Sequence, residues 1–467
     1  MTKSVSEYFI LESFQVKSVN LFNGVYRLNA DYYQPNSEIN VSENIEFKPL
    51  SEFATVLFPG IFKRILVDNI NNGIGFLTTS DMMLLEPMPE KFLSIDLTQN
   101  LDIYKVTDNT LLVSRSGTIG NTTYVNDDLI KFAISEDALR VIPLDSTIIG
   151  LLYFYFISDY GNGLITGKKS GAVIDHIYED DLLSMPIPIL EYNKIEFFLQ
   201  QFQIVKRKRE LANDLIRKAR TLILQYNNLP PLFETQIETF DPNKSVEIRL
   251  VSSNEFTYDF RLDAHFYNPW AKKAEDNIIQ FCSNYRRIFE VTEDIRMSPL
   301  FVRNFVENEY GVKYIAGKHI AQIRKSFKYI SKTETADIEE HILSKGWTLM
   351  TCAGTLGKIG YVNDELDGAT AQDLMRIVPN NNEIDGGYLN AWLSTAYGKA
   401  LIVRQKYGAV VDRISPEQTG EILIPITESY KQREIGDLVR QAYDLRAEAI
   451  RLEDEAQKIL NETLIGK

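Results

Sequence analysis

Three short patterns in the sequence contain residue types that could do chemistry. Two of them are Gly-rich blocks, Ser-Gly-Thr-Ile-Gly at 116–120 and Ala-Gly-Thr-Leu-Gly at 353–357. Glycine has no Cβ, so such blocks can bring backbone amides close to a phosphate group. Both blocks have strand-like surroundings and lack the lysine of a phosphate-binding loop and the helix start of a dinucleotide-binding fingerprint. We therefore expect them to shape tight turns.

The third pattern is the acid followed by Glu-x-Lys that metal-dependent nucleases use, where two carboxylates hold Mg²⁺ and the lysine assists the attacking water. Asp31 with Glu46 and Lys48 fits it. In a chain with 64 acidic residues this spacing is permissive, and surface residues explain it better. Only four histidines and two cysteines are present, and there is no HExxH motif. We expect neither a metal nor a cofactor.

Composition excludes several classes of protein. The chain has 467 residues, which predicts two to four domains, and 44% hydrophobic with 24% charged residues is typical of a folded protein. A net charge of −14 argues against a protein that coats nucleic acid by bulk charge, although it leaves room for a local basic groove. Cys282 and Cys352 are too few for a disulfide scaffold and suit a reducing compartment.

The apolar segments predict neither secretion nor membrane insertion. The first residues lack the basic-then-apolar pattern of a signal peptide. The longest apolar stretch, 148–157, has about half of the ~20 residues that a spanning helix needs, and it is flanked by Asp145 and Asp159. We expect a buried helix there and a cytoplasmic protein without membrane contact.

The sequence contains an internal duplication. Tyr-Arg-Leu-Asn-Ala-Asp-Tyr-Tyr-Gln-Pro at 26–35 returns as Phe-Arg-Leu-Asp-Ala-His-Phe-Tyr-Asn-Pro at 260–269, an offset of 234. An offset of 237 relates the two Gly-rich blocks, Gly-Ala-Val-Ile/Val-Asp at 171–175 and 408–412, and Ile-Pro-Ile at 187–189 and 424–426. Because the blocks keep their order and their offsets drift by only three, we infer two homologous halves in tandem.

Each half ends in a segment with the periodicity of a long amphipathic helix. Apolar residues recur at spacings of three, four or seven over about 191–226 and again over about 430–465. Each helix would be about 50 Å long. Residues 191–226 carry eight Lys/Arg against four Asp/Glu, whereas 428–467 carry seven against nine. Opposite charge favours pairing of the two helices with each other, the alternative being two separate solvated helices.

Comparison of the halves separates shared positions from differing ones. Lys169 pairs with Lys406, as a phosphate contact in both copies would require. Beside these lysines the two copies carry different polar side chains, which could meet base edges, although a solvated basic loop is the alternative. Two further basic stretches differ between the halves. The candidate DNA-binding residues are therefore Lys63, Arg64, Lys168, Lys169, Ser170, Arg324, Lys325, Lys328, Arg404, Gln405, Lys406 and Tyr407.

The arrangement resembles the specificity subunit of Type I restriction-modification systems. That family has two target-recognition domains, each with the internal Gly-rich block and a terminal Gly-Ala-Val block, and each followed by a long helix. The resemblance covers residues 20–467. It implies a non-enzymatic subunit that recognises a bipartite DNA target and directs two methyltransferase (modification) subunits to it, with motor or restriction subunits joining. It gives no role to the Arg-Leu-Asn/Asp-Ala element before each domain.

The expected fold is α+β, with two target-recognition domains related by a pseudo-twofold axis and joined by two long antiparallel, coiled-coil-like helices. The expected boundaries are domain 1 over 1–190, the first helix over 191–228, a connector over 229–255, domain 2 over 256–427 and the second helix over 428–467. Two recognition domains about 50 Å apart would span about one and a half turns of DNA. The alternative function is a DNA nuclease or nuclease-fused recognition protein using Asp31, Glu46 and Lys48, and a third is a protein-only assembly adaptor.

Overall fold

Among the residues that the structure describes, two sets of ten strands follow one another in the same order along the chain. The computed structural model describes residues 41–67, 72–169, 175–232, 251, 261, 263–298, 301–324 and 327–466. The strands of the first half are β1 (Phe47–Pro49), β2 (Ala54–Leu57), β3 (Leu66–Val67), β4 (Gly73–Leu77), β5 (Lys91–Ser94), β6 (Leu111–Ser114), β7 (Thr122–Tyr124), β8 (Ala133–Ile134), β9 (Ala138–Pro143) and β10 (Pro186–Pro188). Those of the second half are β11 (Tyr285–Arg287), β12 (Thr292–Met297), β13 (Phe305–Val306), β14 (Gly311–Ile315), β15 (Lys328–Ser331), β16 (Thr348–Thr351), β17 (Ile359–Tyr361), β18 (Thr370–Ala371), β19 (Leu374–Pro379) and β20 (Leu423–Pro425).

In each half these strands form the same three sheets. One four-stranded sheet has the order β2-β9-β6-β7 in the first half and β12-β19-β16-β17 in the second. A second has the order β3-β5-β4-β8 or β13-β15-β14-β18. The first and last strands of each half form a third, two-stranded sheet, β1-β10 or β11-β20. The parallel pairing of β4 with β8 is repeated by β14 with β18. The two halves therefore share one topology, as the repeated sequence blocks predicted.

The helices repeat as well. They are α1 (Ile149–Ile157), α2 (Asp159–Gly167), α3 (Glu179–Leu183), α4 (Tyr192–Tyr226), α5 (Pro269–Phe281), α6 (Gly386–Leu393), α7 (Ala396–Arg404), α8 (Pro416–Gly420) and α9 (Ser429–Leu464). Helices α1 to α3 correspond to α6 to α8, and α4 corresponds to α9. The apolar stretch 148–157 forms α1, which is buried over nearly its whole length, as predicted. In the part of the chain that the structure describes, no single helix is long and apolar enough to cross a membrane; the pair formed by α1 with its preceding turn and α2 reaches that length and apolarity only together, bent by 74°.

The two long helices lie side by side and run in opposite directions. Lys194, near the start of α4, donates to Thr463 near the end of α9, with 3.3 Å between Nζ and Oγ1. At the other end, the Tyr226 hydroxyl donates to Glu434 at 2.7 Å. Between them, Lys208 forms an ion pair with Glu448 at 2.7 Å. The basic helix therefore pairs with the acidic helix of the same chain, in line with their opposite net charges.

Each long helix contributes to the cores of both halves. The first half of α4 buries Phe198 and Phe202 among the side chains of domain 1, whereas its second half buries Ile216 and Ile223 in domain 2. Helix α9 does the reverse, since its start packs in domain 2 and its end, including Leu460, packs in domain 1. These shared cores explain why two domains and two helices form one α+β unit, as the sequence predicted.

A glycine in each half allows a domain helix to approach a long helix closely. A Cβ on Gly150 in α1 would lie 2.3 Å from the Phe198 carbonyl oxygen of α4. A Cβ on Gly387 in α6 would lie 2.6 Å from Cα of Gly436 in α9. Because both distances are shorter than real Cβ contacts, only glycine fits at either position without a backbone shift.

The two domains also contact each other directly. The Leu85 amide donates to the Ala321 carbonyl at 2.8 Å, and the Ile323 amide donates to the Met83 carbonyl at 2.9 Å. These bonds form an antiparallel bridge centred on Leu84 and Gln322, which occupy closely corresponding positions of the two copies. A segment that pairs with its own repeat lies on the pseudo-twofold axis. No feature of the sequence predicted this contact.

Candidate nucleic-acid interface

The Gly-rich block of each half forms the turn between two strands, β6 and β7 or β16 and β17. Gly117 and Gly120 have φ of 69° and 83°, and Gly354 and Gly357 have φ of 73° and 76°. In each turn the last residue of the preceding strand donates its hydroxyl to a threonine carbonyl, Ser114 to Thr118 and Thr351 to Thr355. Left-handed φ values favour glycine, so the blocks shape tight turns, as predicted. The Gly-Thr tips are exposed in both copies.

In domain 2 a second loop lies beside this turn. The Gly354 amide donates to the Asp412 carbonyl at 2.9 Å. The loop is closed by Tyr407 and Arg413, whose backbone groups exchange two hydrogen bonds at 2.8 and 2.7 Å. At its tip the Val410 side chain is 96% exposed. The matching loop of domain 1, 170–174, lies outside the described residues and includes the predicted Ser170.

The residues before this loop differ in their exposure. Arg404 forms an ion pair with Glu275 at 2.8 Å, and its side chain is 12% exposed. The Lys406 Nζ lies 3.2 Å from the Asp412 carboxylate, and its side chain is 18% exposed. Tyr407 is 43% exposed. The side-chain oxygen of Gln405 is buried without a hydrogen-bond partner. Tyr407 is thus the most accessible predicted residue here, whereas Arg404 is held within the domain.

The corresponding site in domain 1 lies at the end of α2. The Lys168 ammonium donates to the Ser184 hydroxyl at 2.7 Å, and both Lys168 and Lys169 are half-buried. Arg115, next to the Gly-rich block, is buried with its guanidinium 4.3 Å from the Phe58 ring centroid and 5.5 Å from that of Tyr178. Lys169 and Lys406, which occupy the same position in the two copies, each lie two residues after the end of an equivalent helix, α2 or α7.

A matched pair of arginines lies beside the sheet β3-β5-β4-β8 of domain 1 and the sheet β13-β15-β14-β18 of domain 2. These two sheets are called the outer sheets. Arg64 forms an ion pair with Glu136 at 2.8 Å, and its guanidinium lies 5.0 Å from the Phe76 ring centroid. Arg303 hydrogen-bonds Gln372, and its guanidinium lies 5.6 Å from the Tyr314 ring centroid. The side chains are 43% and 47% exposed. Both arginines stack on an aromatic ring of an equivalent strand, β4 or β14, and remain accessible.

The residues that hold these arginines are duplicated too. Phe62 lies 3.8 Å from the Tyr104 ring centroid and contacts Phe76 edge-on, while Phe301 lies 4.8 Å from the His341 ring centroid and contacts Tyr314 edge-on. The sequence prediction included Lys63 and Arg64 but missed Arg303. The signal was present, since Phe-Lys-Arg at 62–64 and Phe-Val-Arg at 301–303 share the pattern Phe-x-Arg.

The middle residue of this pattern is exposed in both domains and differs between them. Lys63 occupies it in domain 1, and Val302, which is 75% exposed, occupies it in domain 2. A shared arginine beside a variable residue is the arrangement expected of a contact that positions DNA next to one that discriminates among sequences.

The last predicted stretch contacts a long helix. Arg324 lies 3.3 Å from the Glu453 carboxylate and 2.9 Å from that of Asp454, so its side chain lies against α9. Lys325 lies outside the described residues. Lys328 is exposed, with its ammonium 4.6 Å from the Phe305 ring centroid. The charge of Lys328 is therefore more accessible than that of Arg324.

The predicted nuclease residues are not brought together in the described part of the chain. Asp31 lies outside it, Glu46 is exposed, and Lys48 forms an ion pair with Glu52 at 3.0 Å. Among residues that the structure describes, no group of three or more His, Cys, Asp or Glu could hold a metal ion. Both cysteines are buried free thiols, and burial raises the pKa of each to about 11, which disfavours a nucleophilic thiolate.

No protein-family model and no curated protein matches the sequence. The chain is similar to the S subunit of a Type I restriction-modification system from M. genitalium, with 14% identity, a TM-score of 0.34, and coverage of 92% of this chain and 98% of that one. It is also similar to the HsdS subunit from Thermoanaerobacter tengcongensis, with 13% identity, a TM-score of 0.28, and coverage of 93% and 100%.

A third similar chain belongs to work on complex assembly and conformational transition of a type I R-M system, with 14% identity, a TM-score of 0.28, and coverage of 91% and 97%. All three similar chains come from Type I restriction-modification systems. At these TM-scores the matches assign no role to any residue of this chain.

Proposed function

We propose that this chain is a DNA-binding specificity subunit that recognises a bipartite target through its two domains and catalyses no reaction itself. The observation that carries the proposal is the matched pair Arg64 and Arg303. Each is an accessible arginine held on an aromatic ring in the same position of its domain, beside an exposed residue that differs. Two equal anchors with different neighbours suit two half-sites of different sequence.

Within each half-site the proposal assigns two kinds of contact. Arg64, Arg303, Lys169 and Lys406 are common to both copies and would contact phosphates. Residues that differ between the copies would meet base edges, and these are Lys63 with Val302, and Tyr407 with its counterpart Ser170. Gln405, the counterpart of Lys168, has a buried side-chain oxygen and is assigned no base contact. Arg404 and Arg324 are each held against a helix, since their carboxylate partners are Glu275 of α5 and Glu453 of α9, so we assign them a supporting role.

The acidic total does not oppose DNA binding. At physiological salt, charges on an exposed surface are screened beyond about 8 Å. Many carboxylates of the chain are also paired with basic residues, as Asp128 is with Arg217 and Glu448 is with Lys208. A phosphate therefore responds to the local arginines and lysines more than to the charge of distant surfaces.

The helix pair would set the spacing between the half-sites. Helix α4 has 35 residues, a length of about 52 Å, which corresponds to about one and a half turns of DNA. The direct bridge at Leu84 and Gln322 supports a fixed relation between the domains. A fixed separation favours two short half-sites with a spacer of constant length.

The pseudo-twofold arrangement suits two copies of one partner. We infer that two methyltransferase subunits bind symmetrically and that motor or restriction subunits join this complex, as the family resemblance implies. The mass of the co-expressed complex tests this inference. Two modification subunits per chain are expected, and one or none contradicts the inference.

The function itself is tested by methylome sequencing of host cells with and without this gene. The expected result is a split methylated motif that disappears with the gene and that the purified chain, with its modification subunits, binds as a duplex. If no motif changes and no duplex is protected, the chain is a protein-only adaptor. If the pure chain cleaves DNA with Mg²⁺ and Glu46→Ala abolishes cleavage, the nuclease alternative is correct.

A further inference from the structure

The family resemblance implies no role for the Arg-Leu-Asp-Ala element that precedes domain 2, whereas the structure shows which groups its arginine contacts. The Arg261 side chain is 11% exposed and extends to the segment after α7. Its Nη1 donates to the Gln405 carbonyl at 3.1 Å, and its Nη2 donates to the Lys406 carbonyl. One guanidinium thus holds the backbone carbonyls of the first two residues of the loop at 405–413, which contains the backbone bonds between Tyr407 and Arg413.

The guanidinium is fixed from its other side by residues of the same element. Its Nε lies 2.6 Å from the Asp263 carboxylate, and the Phe266 ring centroid lies 5.2 Å from its central carbon. The Arg404 guanidinium stacks over the same ring at 4.4 Å, and its Nε donates to the Phe266 carbonyl at 3.1 Å. The buried Phe266 ring therefore contacts two arginines, one from the element and one from the end of α7.

These contacts lie just beyond the C-terminal end of a helix. Helix α7 ends at Arg404, and the last carbonyls of a helix and of the residues that follow it have no partner within the helix. The planar fork of an arginine can donate to two neighbouring carbonyls at once, whereas a lysine ammonium is a point charge on a flexible stem. Arg261 thus holds the chain at the point where it leaves α7.

We propose that Arg261 is a positioning residue that orients the loop at 405–413 and so presents Lys406 and Tyr407 to the second half-site. The statement about DNA rests on the proposed function, whereas the statement about the loop does not. A role in stability alone would require no link to this loop. The direct bonds to the Gln405 and Lys406 carbonyls provide that link, and Tyr407 follows immediately.

The test compares Arg261→Lys and Arg261→Ala with the control Arg287→Ala in the full chain. Arg287 pairs with Glu421 on the surface of the same domain. The first readout is hydrogen exchange at the amides of Tyr407 and Arg413, whose bonds close the loop. Exchange is expected to rise by about tenfold or more in both Arg261 variants and to stay unchanged in the control, because the loop opens locally.

The second readout is binding to a duplex that the wild-type complex selects from a random library, and to the same duplex with either half-site scrambled. The Arg261 variants are expected to lose about tenfold in preference for the intact second half-site and to keep their preference at the first.

Unchanged hydrogen exchange in the Arg261 variants overturns the positioning role. Faster exchange with equal loss at both half-sites overturns the link to one half-site, and faster exchange in a chain whose wild type binds no DNA overturns only the proposed function. Arg261→Lys keeps the charge, so it reports on the fork if Arg261→Ala does not fold.

Discussion

Arg209 on the first long helix and Glu453 on the second form a bidentate ion pair at the centre of the helix pair. The two nitrogen–oxygen distances are 2.6 and 2.7 Å, and the side chains are 6% and 0% exposed. Arg446, the counterpart of Arg209 in the repeat, donates instead to Asn213 at 2.9 Å. The duplication thus kept a buried arginine in each helix and gave the two arginines different partners. A shifted helix register would leave Glu453 buried without its partner, so this pair favours one alignment.

Removal of one member of this pair should be costly. Glu453→Ala leaves the Arg209 guanidinium buried without its carboxylate, and the free energy of unfolding should fall by about 3–5 kcal/mol. Denaturant titration of the full chain measures this change. The exposed pair Lys458 and Glu462 provides the control, because Glu462→Ala removes a pair that water already screens. An equal loss in the two variants would contradict a special role for the buried pair.

The close approach of α6 to α9 should make the stability of the protein sensitive to any residue larger than glycine at position 387. Gly387→Ala places a methyl group 2.6 Å from Cα of Gly436, so the two helices must move apart. Overpacking of this kind costs about 1–3 kcal/mol, and thermal unfolding should register it as a lower Tm. Gly150→Ala tests the counterpart in domain 1. If either variant unfolds like the wild type, the helices there can separate without cost.

The joint between domain 1 and the first long helix should depend on pH through Asp128. Burial alone would raise the pKa of this carboxyl group, but hydrogen bonds from Lys131, Arg217 and Asn213 outweigh it and hold the pKa below its usual value. A lowered folded-state pKa stabilises the protein above the unfolded-state pKa of about 3.9, and this contribution is lost as the pH falls through the folded-state value.

The comparison of wild type with Asp128→Asn tests this dependence. Asparagine cannot ionise, so the variant should be less stable than the wild type near neutral pH, and the difference should shrink below about pH 4. Urea unfolding at a series of pH values measures both curves. A difference that stays constant across the series would mean that Asp128 has the same pKa in the folded and unfolded states.

Much of the fold was predictable because it depends on local patterns and on repetition. The helix expected over about 191–226 is Tyr192–Tyr226, since its apolar periodicity is unbroken until the Asn-Asn-Leu-Pro-Pro sequence that ends it. The hairpins around the two Gly-rich blocks were predictable for a similar reason, because glycine permits the positive φ values of their turns.

The details of the site were less predictable, because they depend on partners distant in sequence. Nothing near Arg404 indicates that Glu275 neutralises it, and nothing near Arg324 indicates that it contacts Glu453. Arg303 was missed for another reason. It corresponds to Arg64 at an offset of 239, outside the 234 to 237 of the recognised blocks, so the matching of those blocks did not bring the two Phe-x-Arg patterns together.

Arg64 and Arg303 should determine how strongly DNA binding depends on salt. If Arg64 and Arg303 contact phosphates, changing either to Ala should weaken binding to all duplexes alike and lower the slope of log affinity against log salt by about 0.9. Exchanging the neighbouring residues, as Lys63→Val or Val302→Lys, should instead change preference at one half-site only. Arg324→Ala serves as the control, because Arg324 is paired with α9 and should leave the salt slope unchanged. Binding measured at two salt concentrations on duplexes with either half-site scrambled separates these effects. A salt slope that falls for Arg324→Ala but not for Arg64→Ala or Arg303→Ala would place the DNA against the bridge between the domains instead of the outer sheets.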